Sequence, residues 1–171
     1  MTFKRPIPDH SADELRNIIT NFSKHGKADD PRCLGAMEEL ARRTGNGLDF
    51  EKSLALIRAA AADGRYISYK QLADESGADW SRVHYSVFNH LGDLIDYAHR
   101  KGWPLLSAIV VSQPNIKTGA MDGPTIEGFL NAARMLGFQI TDGEAFLREQ
   151  QRLVFEWAGG SPPAREDGGQ C

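Results

Sequence analysis

Apolar residues recur every three or four positions through the first third of the chain, and this spacing predicts amphipathic helices. Ser11 and Glu14 form a capping-box signal at the start of the first helix. Pro31 suits the first turn of the second helix, and Gly64 is typical of a residue that ends the third. The three predicted helices cover residues 11–26, 30–45 and 50–62. We therefore expect the chain to open with a helical bundle.

The middle of the chain predicts a short helix followed by a long one. Ser68, with a glutamine three positions later, is a second capping signal, and the helix that it opens stops at Gly77. Asp79 then suits the N-cap of a longer helix over residues 80–101, which closes at Gly102.

After the long helix comes a short apolar run, residues 105–111, whose β-branched side chains predict a strand. Turn-forming residues 113–119 follow this run, and the sequence leaves the partner of the strand open. Thr141 and Glu144 form a further capping signal. The remaining predicted elements are two helices and a disordered tail, at residues 125–136, 141–157 and 159–171.

The composition is that of an ordinary globular protein, with 41% hydrophobic and 25% charged residues. No apolar run approaches the roughly 18 residues of a membrane span, and the polar N-terminus has no secretory segment, so we expect a cytoplasmic protein without membrane contact. Cys33 and Cys171 lie far apart and suggest neither a disulfide framework nor a zinc site, so both are expected to be free thiols.

The distribution of charge indicates where an anion-binding surface would lie. The formal net charge is −3, which argues against a protein whose whole surface binds polyanions. Residues 104–171 carry 5 basic and 8 acidic side chains, whereas residues 1–50 carry 8 of each and residues 51–103 carry 7 of each. A basic surface is therefore expected in the first two thirds of the chain.

The most specific local signal is a helix-turn-helix spacing. The small side chain of Ala73 lets two helices approach, Gly77 can take a positive φ in the turn, and Val83 can anchor the second helix on the first. Many ordinary helix pairs share such turns, so the spacing alone leaves both interpretations open.

On the predicted long helix, Arg82, Tyr85 and Asn89 share the face opposite the apolar stripe. These residue types read base edges, and recognition helices use their N-terminal residues for this purpose. Phosphates would repel Asp93 and Asp96, which lie further along the same face, so the helix would enter a DNA groove by its N-terminal end. The alternative is a solvated helix face.

Basic residues near this helix are candidates for phosphate contacts. Arg65 and Lys70 precede the helix, and Lys117 lies in the turn where a winged helix carries its wing. An ordinary surface loop is the alternative for Lys117. The candidate DNA-binding residues are Arg65, Lys70, Ser81, Arg82, Tyr85, Asn89 and Lys117.

Several residues of this region also occur together in one family pattern. They are Tyr69, Leu72, Ala73, Gly77, Arg82, Val83, Leu91, Gly92, Pro104 and the apolar residues 109–111. In this pattern the chain resembles the winged-helix DNA-binding domain of the O6-alkylguanine DNA alkyltransferases and alkyltransferase-like proteins. The resemblance implies a winged-helix fold and binding of duplex DNA. The family's Pro-Cys-His-Arg acceptor motif and its tryptophan-for-cysteine form are both absent from residues 108–112, so alkyl transfer is not expected.

An enzymatic interpretation has no recognised motif behind it. The candidate acids, bases and nucleophiles are His84, His90, His99, Asp93, Asp96 and Cys33. His90 falls near the apolar stripe, where a buried core histidine is expected. Because no metal, phosphate-loop or nucleophile motif occurs, we predict a non-catalytic protein without a metal or other cofactor.

The main alternative function is a protein-interaction module, in which the winged-helix core is a scaffold and the terminal helices dock a protein partner or a second copy. Phe155 and Trp157, together with Phe146, offer more aromatic surface than a single helix face readily buries, and they are the candidate partner-binding residues. Burial of these side chains against the N-terminal bundle is the simpler alternative.

The predicted fold is one mainly α domain over residues 1–158. Its winged-helix-like core, a helix-turn-helix plus a short β element, covers residues 64–123, and the N- and C-terminal helical extensions cover residues 11–63 and 124–158. The predicted function is non-catalytic binding of double-stranded DNA, in a regulatory or DNA-processing accessory role.

Overall fold

The computed structural model describes residues 5–44, 47–84 and 86–160, and this part of the chain is mainly helical. Its helices and strands are α1 (Ala12–Lys24), α2 (Pro31–Thr44), α3 (Phe50–Ala62), β1 (Ile67–Ser68), α4 (Tyr69–Glu75), α5 (Trp80–Val83), α6 (Val87–Arg100), β2 (Val110–Val111), α7 (Gly123–Met135) and α8 (Gly143–Trp157). Short 3-10 turns occupy Ile7–Asp9, Leu106–Ile109 and Gln113–Asn115.

Local capping chemistry sets the starts of α1 and α3 as predicted, and the predicted end of the second helix at residue 45 lies outside the described residues. The Ser11 hydroxyl accepts a hydrogen bond from the Glu14 amide, and the Glu14 carboxylate accepts one from the Ser11 amide at 2.7 Å. The Asp49 carboxylate accepts a hydrogen bond from the Lys52 amide at 2.7 Å and so caps α3. Gly64 follows α3 with a φ of +67°, as a glycine that ends a helix does.

The prediction of one continuous helix over residues 80–101 is wrong, because the chain forms two helices, α5 and α6, in this region. In a continuous α-helix the Val83 carbonyl would accept a hydrogen bond from the Val87 amide. Instead the Val83 carbonyl accepts hydrogen bonds from the amide of Ser86 at 2.9 Å and from its hydroxyl at 3.2 Å. This local turn ends α5 after four residues, and α6 begins at Val87.

The prediction of a strand over residues 105–111 is correct only for Val110–Val111. These two residues pair in parallel with β1, in the register Ile67 to Val110 and Ser68 to Val111. The residues before them form a 3-10 turn because side chains of α8 take their backbone polar groups. The side-chain oxygen Oε1 of Gln150 accepts a hydrogen bond from the Leu105 backbone amide at 3.0 Å. The side-chain Nε2 of Gln151 donates one to the Ala108 backbone carbonyl at 3.0 Å.

The two C-terminal helices form as predicted, and an aspartate caps each of them. Asp122 accepts from the Thr125 amide, so α7 begins two residues before the predicted start. Asp142 accepts from the Ala145 amide at 3.0 Å, whereas the predicted cap was Thr141. Of the predicted tail, residues 159 and 160 form a turn that closes α8, and residues 161–171 lie outside the described residues.

The hydrophobic core is one cluster of buried side chains that runs from α2 to α8. Its largest fully buried members include Phe50, Ile57, Leu72, Leu94 and Phe155. The N-terminal helices, the middle of the chain and α8 therefore share the same core. No helix in the described ranges is both long and apolar enough to cross a lipid bilayer.

Candidate nucleic-acid interface

The helices α4 and α5 and the turn between them form the unit in which sequence analysis placed the helix-turn-helix spacing. We call residues 69–83 the α4–α5 unit. Ala73 and Val83 are fully buried, and Gly77 adopts a φ of +80° in the turn. The Ala78 amide donates a hydrogen bond to the Ala73 carbonyl at 3.0 Å, which closes the turn onto α4. The three signal residues therefore have the local roles that their types predict.

The basic residues predicted to contact DNA lie on the surface, and acidic neighbours compensate three of them. Lys70 Nζ lies 2.6 Å from Asp74 Oδ2, one helical turn further along α4. Arg82 is 81% exposed at its side chain, with its Nε 3.8 Å from Asp79 Oδ2. Arg65 Nε similarly lies 3.5 Å from a carboxylate oxygen of Asp63 (Oδ2). Exposed ion pairs of this kind contribute about 0–1 kcal/mol, so a phosphate can compete with these carboxylates.

Ser81 holds the carboxylate that faces Arg82. Its hydroxyl donates a hydrogen bond to Asp79 Oδ1 at 2.7 Å, and its amide donates to the same oxygen at 3.0 Å. These two hydrogen bonds, with a smaller contribution from the Arg82 charge, lower the pKa of Asp79. Asp79 therefore stays ionised at neutral pH. It caps α5 and would compete with a DNA phosphate for Arg82.

The structure does not place Asn89 on one helix face with Arg82. The chain breaks between α5 and α6, and Asn89 lies on α6, where it lines a cavity between α6 and α7. Tyr85, the third residue predicted to enter a DNA groove, lies outside the described residues. Of the predicted base-reading side chains, Arg82 therefore has a described position on the α4–α5 unit.

Arg65 and Lys117 lie on two chain segments that contact each other. Gly119 packs so closely on the Tyr66 ring that a Cβ at this position would overlap the ring. This contact brings the loop that carries Lys117 beside the segment that carries Arg65. Arg148 of α8 donates a hydrogen bond to the Thr118 carbonyl at 3.0 Å and so anchors the loop.

The partner-binding surface predicted on α8 is wrong for Phe155. This side chain is fully buried and packs edge-on against Tyr66, with ring centroids 5.4 Å apart. Trp157 is half-buried, with its ring 5.2 Å from the Trp103 ring and with the Arg58 guanidinium 4.4 Å from its centroid. The remaining core and Arg58 thus cover the aromatic face that the sequence left open.

Two of the candidate catalytic residues, His90 and Cys33, are buried inside the fold. His90 is buried, as predicted, with its Nε2 2.8 Å from the Ser53 hydroxyl oxygen, and burial lowers the pKa of His90 to about 4. Cys33 is buried, and burial raises the pKa of its thiol despite the nearby charge of Arg100. The described ranges contain no cluster of three or more His, Cys, Asp or Glu side chains that could hold a metal ion.

Sequence analysis missed an open groove between α6 and α7, with a cavity volume of about 880 Å³. Two large apolar side chains at this groove are exposed, Phe88 at 52% and Met135 at 89%. A signal was present in the sequence, because Phe88 lies off the apolar stripe of its helix. An aromatic residue on a polar face indicates either a partner or a surface that folding does not cover.

No protein-family model, curated protein or solved structure that was compared with the chain matches it.

Proposed function

We propose that the chain is a winged-helix-like protein that binds duplex DNA through the α4–α5 unit. The observation that carries this proposal is the exposure of Arg82 at the end of a short helix that the preceding turn positions. Lys70 and Ser81 are exposed on the same unit. The parallel pair of β1 and β2 supplies the short β element that such a core requires.

In this proposal α5 approaches a DNA groove with its solvent-facing side. Arg82 has a planar fork of donors that suits the acceptor edge of guanine or a phosphate, and Ser81 can bond to either. Lys70 adds a phosphate contact from α4, and Arg65 and Lys117 add contacts from their adjoining segments. Each of the basic side chains contributes one positive charge to the contact with the DNA backbone.

The small number of cations sets the expected strength of binding. Four cations, Arg65, Lys70, Arg82 and Lys117, would give a slope of log K against log salt no steeper than about −3.6. The carboxylates beside three of them oppose DNA binding and make the slope shallower. We therefore expect measurable affinity at low salt and weak affinity at physiological salt.

The test is fluorescence anisotropy of labelled plain duplexes and duplexes with O6-alkylguanine, titrated with the protein from low to physiological salt. The Arg82→Ala variant is expected to lower affinity about tenfold, the usual effect of losing one well-placed arginine contact. Arg16→Ala is the matched control, because Arg16 is also exposed and forms a similar ion pair with Asp13 at 3.0 Å on α1. Equal affinities of the two variants, or no binding at low salt, would overturn the proposal.

A further inference from the structure

The groove between α6 and α7 runs along both helices. At one end the Tyr69 ring packs 5.0 Å from the Phe88 ring near the start of α6, and Tyr69 lines the cavity together with Thr125 near the start of α7. At the other end the rings of His99 and Phe138, close to the ends of α6 and α7, lie 5.2 Å apart. The two helices therefore run side by side in the same direction. The 14 residues of α6 correspond to a groove about 20 Å long.

The two helices leave this space open because small residues face it. Gly92 of α6 and Gly128 of α7 both line the cavity, and a Cβ built at either position meets nothing within 4 Å. Phe129 and Leu91 contribute apolar surface deeper in the groove, where both are buried. The opening is thus a gap between helices with an apolar floor.

The walls of the groove combine exposed apolar side chains with negative charge. Phe88 and Met135 are the large hydrophobic side chains that stand exposed in the described ranges, and both line this groove. Asp96 is paired with Arg100 at 2.9 Å, whereas Asp93 forms no ion pair within the described part of the chain. Partial loss of water and the charge of Asp96 raise the pKa of Asp93, and a cation brought beside this carboxylate would stabilise its ionised form.

We propose that this groove binds a single amphipathic helix of a partner protein, with apolar side chains on one face and a lysine or arginine that pairs with Asp93. A helix of about 14 residues matches the groove in length, and apolar residues at i, i+3 and i+7 would contact the floor and the exposed side chains. The uncompensated carboxylate selects a basic helix over an acidic one. This docking surface shares Tyr69 with the α4–α5 unit but neither Lys70 nor Arg82, and it does not depend on DNA binding.

Charge argues against two other occupants from this chain itself. A symmetric second copy would bring a second copy of the same described lining to this face, and the basic side chain of that lining, Arg100, already pairs with Asp96, so it offers Asp93 no unpaired cation. Residues 161–171 carry one basic and two acidic side chains and no large apolar one. Their composition therefore fits neither the floor nor the negative wall of the groove.

The test uses a labelled, alanine-based helical peptide of about 15 residues with leucines at i, i+3 and i+7 and lysines beside them. An otherwise identical peptide with glutamates in place of the lysines is the control ligand. We expect fluorescence anisotropy with the full chain to give at least about tenfold tighter binding of the lysine peptide. Asp93→Asn is expected to remove most of this preference for lysine.

A second variant separates groove binding from effects on folding. Gly128→Gln places a long neutral side chain in the open space, and it is expected to weaken binding of the lysine peptide at least about tenfold. Glu127→Gln is the matched control, because Glu127 is exposed on α7 and does not line the groove. Thermal unfolding followed by circular dichroism checks that both variants are folded. Equal binding of the two peptides, unchanged binding by folded Gly128→Gln, or no peptide binding would each overturn the proposal.

Discussion

The surface of the α4–α5 unit and the groove between α6 and α7 differ in how their side chains are satisfied within the chain. On the α4–α5 unit, Lys70 and Arg82 each have a carboxylate of the same unit nearby. In the groove, Phe88 and Met135 remain exposed, and Asp93 forms no ion pair among the described residues. The first surface is polar and internally compensated, whereas the second is apolar and carries uncompensated negative charge.

The difference follows from the reach of each kind of side chain. A charged side chain finds an opposite charge three or four residues away on its own helix, so it needs no other element. An apolar side chain leaves water only when another element covers it. DNA binding must therefore displace existing ion pairs on the α4–α5 unit, while a helix in the groove gains apolar contacts that the chain does not itself supply.

The largest expected effect contrasts a buried phenylalanine with an exposed one. Phe155→Ala should lower the free energy of unfolding by about 3–5 kcal/mol, because it leaves a cavity in the shared core. Phe88→Ala should cost about 1 kcal/mol, since this side chain is half-exposed and its main ring contact is with Tyr69. Urea unfolding measures both values. Similar losses for the two variants would mean that Phe88 is a core residue and not a groove residue.

The second effect is the loss of stability in acid that His90 causes. His90 lies on the buried face of α6, and another face of this helix lines the groove. The folded pKa of His90 is about 4, below its ordinary 6.5, so the unfolded chain binds more protons between these values. Stability should therefore fall by about 3 kcal/mol as pH drops from 7 towards 4. Urea unfolding across this range measures the loss, and His90→Gln should flatten the curve. If His90→Gln loses the same free energy of unfolding over this pH range, other groups cause the acid sensitivity.

A third, smaller effect tests whether the groove is truly open. Gly128→Gln should raise the free energy of unfolding by about 0.5 kcal/mol, because glutamine favours the helix more than glycine does and a Cβ at this position meets nothing within 4 Å. Urea unfolding of this variant beside the unaltered chain measures the change. A loss of more than about 1 kcal/mol would indicate that α6 and α7 pack together at this position.

The smallest expected effect concerns the compensation on the α4–α5 unit. Asp74→Asn removes the carboxylate that pairs with Lys70, and it should raise the affinity for duplex DNA about twofold at low salt. Anisotropy titrations give this ratio, with Asp13→Asn on α1 as the matched control. An unchanged affinity would show that Lys70 does not contact the duplex.

The features that sequence analysis predicted correctly depend on local chemistry. Ser11 and Asp79 cap their helices through amides two or three residues away, and the positive φ of Gly77 follows from its position in a turn. The end of α5 was missed because the Ser86 hydroxyl competes for a backbone carbonyl, an outcome that helical periodicity does not register.

The features that were missed depend on distant segments. The run over residues 105–111 has the composition of a strand, but Gln150 and Gln151, more than 40 residues later, satisfy its backbone. The groove likewise depends on how α6 and α7 lie beside each other. Sequence analysis placed Phe155 on a candidate surface and gave no role to Phe88. In the structure the packing of the helices buries Phe155 and leaves Phe88 exposed.

One crossed measurement tests most directly the claim that the two surfaces bind different ligands. The unaltered chain, Arg82→Ala and Gly128→Gln are each titrated against a labelled duplex and the labelled lysine peptide at the same low salt concentration. The account predicts that Arg82→Ala weakens only duplex binding and that Gly128→Gln weakens only peptide binding, each about tenfold. A variant that weakens both ligands equally, or an unaltered chain that binds neither, would contradict it.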